Sequence, residues 1–198
     1  MLQDKIIIVT GGCSGIGWGI TQVCAKHGAT VIAAQRSESG RKRVDRLSEQ
    51  GRSVFFERLD VSDAQSITAF VAKVMHQHGK IDALINNAGI TIEEDFFDFP
   101  LEKLDLLWAT NQRSIFLMSQ TVGRHMRDAG QGSIVNVSSN HSHASVPGYE
   151  MYAATKGGIS AMGRAMSWSL GAHGIRVNTL SPGLTMTESV ADVMETTP

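Results

Sequence analysis

Only two cysteines, Cys13 and Cys24, occur in 198 residues. That is too few for a disulfide framework and suits a reducing compartment. Neither sign of charge dominates, since the net charge is -1. The one dense basic run, Arg41-Lys42-Arg43, is followed closely by Asp45 and reads as a solvated helix face. This excludes the electrostatic footprint of a nucleic-acid or anionic-membrane binder. No apolar run approaches the roughly 18–20 residues of a transmembrane helix. The N-terminus enters a strand-like run, Lys5 to Val9, without the layout of a signal peptide. A cytoplasmic location is the expectation. Low-complexity tracts, short repeats and linkers are lacking too, so one domain spanning 1–198 is expected.

What is present is alternation. Short β-branched runs at Lys5–Thr10, Thr30–Gln35, Ser53–Arg58, Ala83–Asn86, Gly132–Ser138 and Arg176–Leu180 read as strands. Between them lie helical patterns at about Gly15–His27, Ser37–Gln50, a stretch from Asp63 to Gly79, Leu101–Asp128 and Gly148–His173. Ser62 or Asp63 caps the third helix, and Gly28, Gly51 and Gly79 stop the first three. Strands alternating with helices imply βαβ units, a parallel sheet and helices on both faces.

A glycine-rich turn, Gly11-Gly12-Cys13-Ser14-Gly15-Ile16-Gly17, joins the first strand to the first helix. In that context Gly11 permits a tight turn, Gly15 lets backbone approach a pyrophosphate, and Gly17 allows close packing. The helix N-terminus adds N–H donors and partial positive charge for phosphates. Far along the chain, Tyr152 and Lys156 stand four residues apart. On a helix, that spacing puts a phenol and an ammonium on one face.

Together these segments resemble the short-chain dehydrogenase/reductase family in its smaller, non-extended form. Thr10 to Gly17 is similar to its cofactor loop, Asp60-Val61 to its adenine-contacting pair, and Asn86-Asn87-Ala88-Gly89 to its strand-four motif. Asn111 falls where the family places a catalytic Asn, and Ser139 precedes Tyr152 by the family's thirteen residues. Pro182-Gly183 with Thr185 and Thr187 is similar to its nicotinamide segment. The resemblance covers the whole chain. It implies a three-layer, doubly wound Rossmann-type α/β fold with strand order 3-2-1-4-5-6. It also implies an NAD(P)-dependent alcohol dehydrogenase or ketoreductase that moves a hydride between the cofactor and a secondary alcohol or ketone.

The resemblance also implies roles. Tyr152 would be the acid/base, with Lys156 favouring its ionised form and binding the nicotinamide ribose. Ser139 would donate to the substrate oxygen, with Ser138 as competitor; strand alternation lets only one point into the site. Asn111 would hold a relay water, unless it satisfies helix backbone. Asp60 would accept from adenine, unless it caps a helix. Asn87, Ala88 and Gly89 would pass the adenosine ribose, with Asn87 also supporting the fold, and Ser14, Ile16 and Thr187 would also meet the cofactor. NADP is favoured over NAD: the second strand ends in Gln35 and Arg36, and an Arg can pair with a 2′-phosphate. Ser14 argues the other way, because NADP-preferring relatives often carry a basic residue there.

Asn140, His141 and Tyr149 are the candidate substrate contacts, since their loop precedes Tyr152. His141 and His143 lack further ligands at metal spacing, so no metal is expected. Glu93, Glu94 and Asp95 read as a solvated loop, with a place near the mouth of the site as the alternative, and Met162, Met166 and Trp168 as core or subunit interface. The Leu101 helix is apolar all round, which implies a homodimer or homotetramer. Family members run on past the Pro-Gly motif into a lid and a seventh strand, which are expected to be missing here. The rivals are a non-catalytic dinucleotide-binding regulator and a lyase or epimerase; the second needs a larger substrate half.

Overall fold

A computed structural model describes residues 1–188, 190 and 191. The first strand, β1 (Ile6–Thr10), is buried at all five positions. A strand covered on both faces needs that continuous apolar run. Its pleat sends Ile6 and Ile8 into one core and Ile7 and Val9 into the other. After it come α1 (Gly15–Lys26), β2 (Thr30–Gln35), α2 (Arg41–Glu49), β3 (Val54–Arg58), α3 (Ala64–His78) and β4 (Ala83–Asn86). The second half holds α4 (Leu101–Leu107), α5 (Ser114–Asp128), β5 (Gly132–Val137), α6 (Glu150–Gly171) and β6 (Ile175–Leu180). Every ladder is parallel, and the strand order is β3-β2-β1-β4-β5-β6.

The two cores define the layers. Ala25 of α1 and Val44 of α2 pack on one face of the sheet. Phe70 and Val74 of α3 and Met118, Val122 and Met126 of α5 pack on the other, joined by Met166 and Leu170 of α6. The order of strand addition reverses between β1 and β4, and the crevice at their carboxyl ends is where a doubly wound sheet binds ligands. Among the described residues no helix is long and apolar enough to cross a membrane.

Several boundaries differ from expectation for local reasons. Asp63, not Ser62, caps α3, its carboxylate accepting from the Gln65 amide at 2.9 Å. The second helix opens as a 3-10 turn, Glu38–Gly40, because Gly40 is pressed against Cys13; a Cβ there would sit 2.3 Å from that of Cys13. Gly148 has φ +85°, so α6 cannot begin there. The largest departure lies in the expected Leu101–Asp128 helix, which contains a π turn at Trp108–Arg113. Asn111 sits inside that turn, fully buried.

Surface features also shift. In the basic run, Arg41 pairs with Glu38 and covers the Phe56 ring at 4.4 Å, while Arg43 pairs with Glu188. Trp168 is 86% exposed and so is not core.

Candidate active site

The glycine loop is shaped by its own close contacts. Gly11 and Gly15 have φ of +64° and +50°, where side chains are disfavoured. Gly17, in the first turn of α1, lies so near the loop that a Cβ would be 2.1 Å from the Gly11 carbonyl oxygen and 2.5 Å from Asn87 Nδ2. Thr21 Oγ1 donates to the Gly12 carbonyl at 2.9 Å, tying α1 back to the turn. Gly17→Ala is therefore expected to destabilise the fold by about 3 kcal/mol. Gly19→Ala, whose Cβ would meet nothing within 4 Å, is the control and should leave thermal unfolding unchanged or raise its midpoint slightly.

Thr10 links this loop to the fourth strand's motif. Its hydroxyl accepts from the amides of Asn87 and Ala88, both at 3.0 Å. Asn87 Nδ2 donates back to the carbonyls of Thr10 at 2.9 Å and Gly11 at 3.3 Å. The Asn87 amide thus braces the loop, while Ala88, Gly89 and Ile90 line the neighbouring cleft. Thr10 was not among the sequence candidates, although a hydroxyl ending a run of isoleucine and valine was a visible signal.

That cleft has a volume of about 390 Å³ and lies along the ends of β1 to β4. Gly11, Ser14, Arg36, Asp60, Val61 and Gly89 are on its walls. Asp60 Oδ1 accepts from the amide and hydroxyl of Ser62 at 2.9 and 2.6 Å, a turn rather than a helix cap. Burial raises the Asp60 pKa, but the Ser62 bonds and the charges of Arg36 and Arg58 outweigh it, so the net shift is downward. Ile16, Thr185 and Thr187 lie instead on a separate groove beside α1. The Thr187 methyl would lie 3.5 Å from a Cβ on Gly15, so the segment after β6 closes over the glycine loop. Its start is held by the Pro182 carbonyl, which accepts from the Asn140 amide at 3.0 Å.

Deeper in, β5 and α6 bring the polar groups together. Lys156 is 5% exposed, and its ammonium donates to the Val137 carbonyl at 3.1 Å. Burial lowers its pKa to about 8. An ammonium has three donors, and among the described residues Val137 is the single acceptor. Lys156 Nζ lies 5.6 Å from the centre of the Tyr152 ring. Ser138 turns away, donating to the Lys156 carbonyl at 2.7 Å. Ser139 accepts from the His141 amide at 3.2 Å and donates to Asn140 Oδ1 at 3.1 Å.

Asn111 faces the same centre but spends its amide on Ile90. It accepts from the Ile90 amide and donates to the Ile90 carbonyl, both at 2.8 Å, and reaches Thr155 Oγ1 at 3.3 Å. It satisfies backbone, though of the loop after β4 rather than of a helix. A Cβ on Gly89 would be 3.2 Å from Asn111 Oδ1 and 3.5 Å from Lys156 Nζ. Residue 89 thus passes between cleft and ammonium with little room for a side chain on the Asn111 side.

At the mouth, Tyr149, His141 and Tyr152 form one wall. His141 is 5.2 Å from Tyr149 and 5.4 Å from Tyr152, centre to centre. Glu93 and Glu94 are not simply solvated: Tyr149 donates to Glu93 Oε2 at 2.6 Å, and Glu94 pairs with Lys103. Tyr149 has its pKa raised, first by that hydrogen bond and then by burial.

A bare-backbone cradle at a strand-helix turn, a crevice at the reversal of strand order and a buried ammonium with spare donors suit a dinucleotide. The fold and site define a nucleotide-binding α/β protein of the doubly wound class. The profile of the short chain dehydrogenase family matches residues 5–198, and the chain belongs to that family. It is 38% identical over 197 residues to a 3-oxoacyl-[acyl-carrier-protein] reductase of Chlamydia muridarum, covering 97% of this chain and 79% of the relative. It is 34% identical over 195 residues to a cyclopentanol dehydrogenase of Comamonas, covering 98% and 78%. A crystal structure from Sinorhizobium meliloti, assigned to the short-chain alcohol dehydrogenases, superposes with TM-score 0.92 at 32% identity, covering 98% and 78%. The protein is accordingly an oxidoreductase of a family that uses NAD(P).

Proposed function

We propose that the chain interconverts a secondary alcohol and a ketone, with Tyr152 as the acid/base. The observation that carries this reading is Lys156: a buried ammonium, one donor on Val137, set against the Tyr152 ring and behind Gly89 of the cleft wall. A nicotinamide, when bound, supplies the hydride acceptor or donor. Lys156 has donors left for ribose hydroxyls, and its charge favours the phenolate of Tyr152. The Ser139 hydroxyl exchanges its bond to Asn140 for one to the substrate oxygen. Asn111 holds the Ile90 backbone and, through it, the wall beside Gly89; a water held there would extend the proton path from Lys156. The two relatives' named substrates, a 3-oxoacyl group and cyclopentanol, both carry oxygen on a secondary carbon, which supports the same bond type here.

NADP is the preferred cofactor in this reading. Arg36 stands on the cleft wall beside Asp60, and Gln35 donates to Ser39 at 3.4 Å within its own turn. The guanidinium is then available to a 2′-phosphate. The test is a screen of alcohols and ketones with both cofactors, following nicotinamide absorbance. Absence of turnover alongside tight cofactor binding would overturn the enzyme reading.

We also infer a homodimer or homotetramer in the cytoplasm. Phe116 on α5 and Met162, Met166 and Leu170 on α6 line an apolar groove of about 340 Å³, and Phe116 is 50% exposed. A second copy of this two-helix face would cover it. Light scattering should report a dimer or tetramer, and Phe116→Arg should shift it toward monomer. A wild-type monomer would overturn this inference.

A further inference from the structure

We propose that Glu93 and Tyr149 make the site selective for uncharged, polyhydroxylated substrates, with Glu93 the residue that determines specificity. This inference rests on the alcohol dehydrogenase reading of the same site.

The placement of Glu93 is built, not incidental. It comes from the loop between β4 and α4, far in sequence from the acid/base helix. Three contacts bring it to the mouth. The Tyr149 hydroxyl donates to Glu93 Oε2 at 2.6 Å. The Glu94 amide donates to the Gly148 carbonyl at 3.1 Å. A Cβ on Gly148 would lie 3.1 Å from Glu93 Cγ, so a larger residue there would push the carboxylate away. Tyr149 is in turn one face of the wall shared with His141 and Tyr152, its ring centre 6.4 Å from that of Tyr152. A substrate whose carbinol carbon reaches Tyr152 must lay its next few atoms along this wall.

The donors and acceptors on the wall decide what can lie there. A carboxylate has about four lone-pair sites, and Tyr149 occupies one. Tyr149 itself is kept protonated, as the Glu93 bond pushes its ionisation upward. His141 shares Nδ1 with Ser145 Oγ at 2.9 Å, leaving Nε2 for a ligand. Hydroxyls adjacent to the reacting carbon can donate to Glu93 and to His141. A bare ring or alkyl chain would leave these groups unmatched. A carboxylate or phosphate-bearing substrate would meet a like charge at Glu93, and Lys103, which contacts this loop, is already paired with Glu94.

The test compares sorbitol, cyclopentanol and gluconate as oxidisable substrates with NADP. The expected result is kcat/KM at least tenfold higher for sorbitol than for the other two. Glu93→Gln keeps the shape and removes the charge. It should raise KM for sorbitol about tenfold and lower KM for gluconate, with kcat for each changed less than threefold. Equal preference among the three, or a Glu93→Gln protein with unaltered preference, overturns the inference while leaving the dehydrogenase reading intact. Calorimetry on Tyr152→Phe saturated with NADP reads binding without turnover. Sorbitol should bind at least tenfold more tightly than gluconate, and Glu93→Gln in that background should narrow the gap. Gluconate binding as tightly as sorbitol overturns the inference even if no substrate turns over.

Discussion

With Tyr152 replaced by Phe, turnover falls about 10³-fold while cofactor affinity stays within about twofold. The ring survives the change and keeps its packing against His141 and its position by Lys156. Among the described residues the Tyr152 hydroxyl has no protein partner, so its loss breaks no hydrogen bond that supports the fold. The unfolding midpoint should consequently move by less than about 2 °C. Initial rates, fluorescence titration of the reduced cofactor and thermal unfolding check the three parts separately. Retained turnover would exclude Tyr152 as acid/base. A large fall in cofactor affinity would mean that the phenol holds nucleotide.

Lys156→Met is the second large effect, and its parts have opposite signs. In the folded chain, burial has lowered the Lys156 pKa to about 8 from 10.5. Below pH 8 both folded and unfolded chains hold this proton, and the folded one bears the full desolvation penalty. Between about 8 and 10.5 the unfolded chain holds more protons, so stability from this group rises with pH. The span corresponds to ~3 kcal/mol. Removing the ammonium should thus make the cofactor-free protein more stable at pH 7, with that advantage shrinking toward pH 10. Activity should fall at least 10³-fold in the same variant, because both the phenolate's partner and the ribose donors are gone. In the wild type, cofactor affinity should be level below pH 8 and decline above it. The decline should be absent in Lys156→Met. A variant less stable at pH 7 would show that Lys156 serves the fold rather than the site.

Much of this was legible in the sequence because it depends on periodicity and on glycine. The short β-branched run Lys5 to Thr10 suited a strand covered on both faces, and Gly11, Gly15 and Gly17 after it suited a tight turn into a helix. The strand order came with the resemblance, since alternation alone does not order six strands. What could not be read depends on contacts between distant segments. Asn87 was expected to support the fold as well as to pass the cofactor, but that its amide braces Thr10 and Gly11 could not be read, because Thr10 is 77 residues away. Glu93 read as solvated loop or as near the mouth, and its bond to Tyr149 stayed hidden because that partner lies 56 residues on. The π turn at Trp108–Arg113 left no mark, as every residue there is compatible with an α-helix.

That turn has a consequence for length rather than for composition. Each α-helical residue advances the chain by about 100°, and a π turn inserts an extra step. The helix before it presents Leu107 to the interior, and the helix after it presents Ile115, Met118 and Val122. Both stripes face the interior, one on each side of the π turn. Adding or removing one residue there would rotate all of α5 about its axis and turn its apolar stripe off the sheet. One residue more or less in the exposed run 143–147 would rotate nothing. Within this fold, then, the chain's tolerance of insertion is set by phase and not by distance from the chemistry.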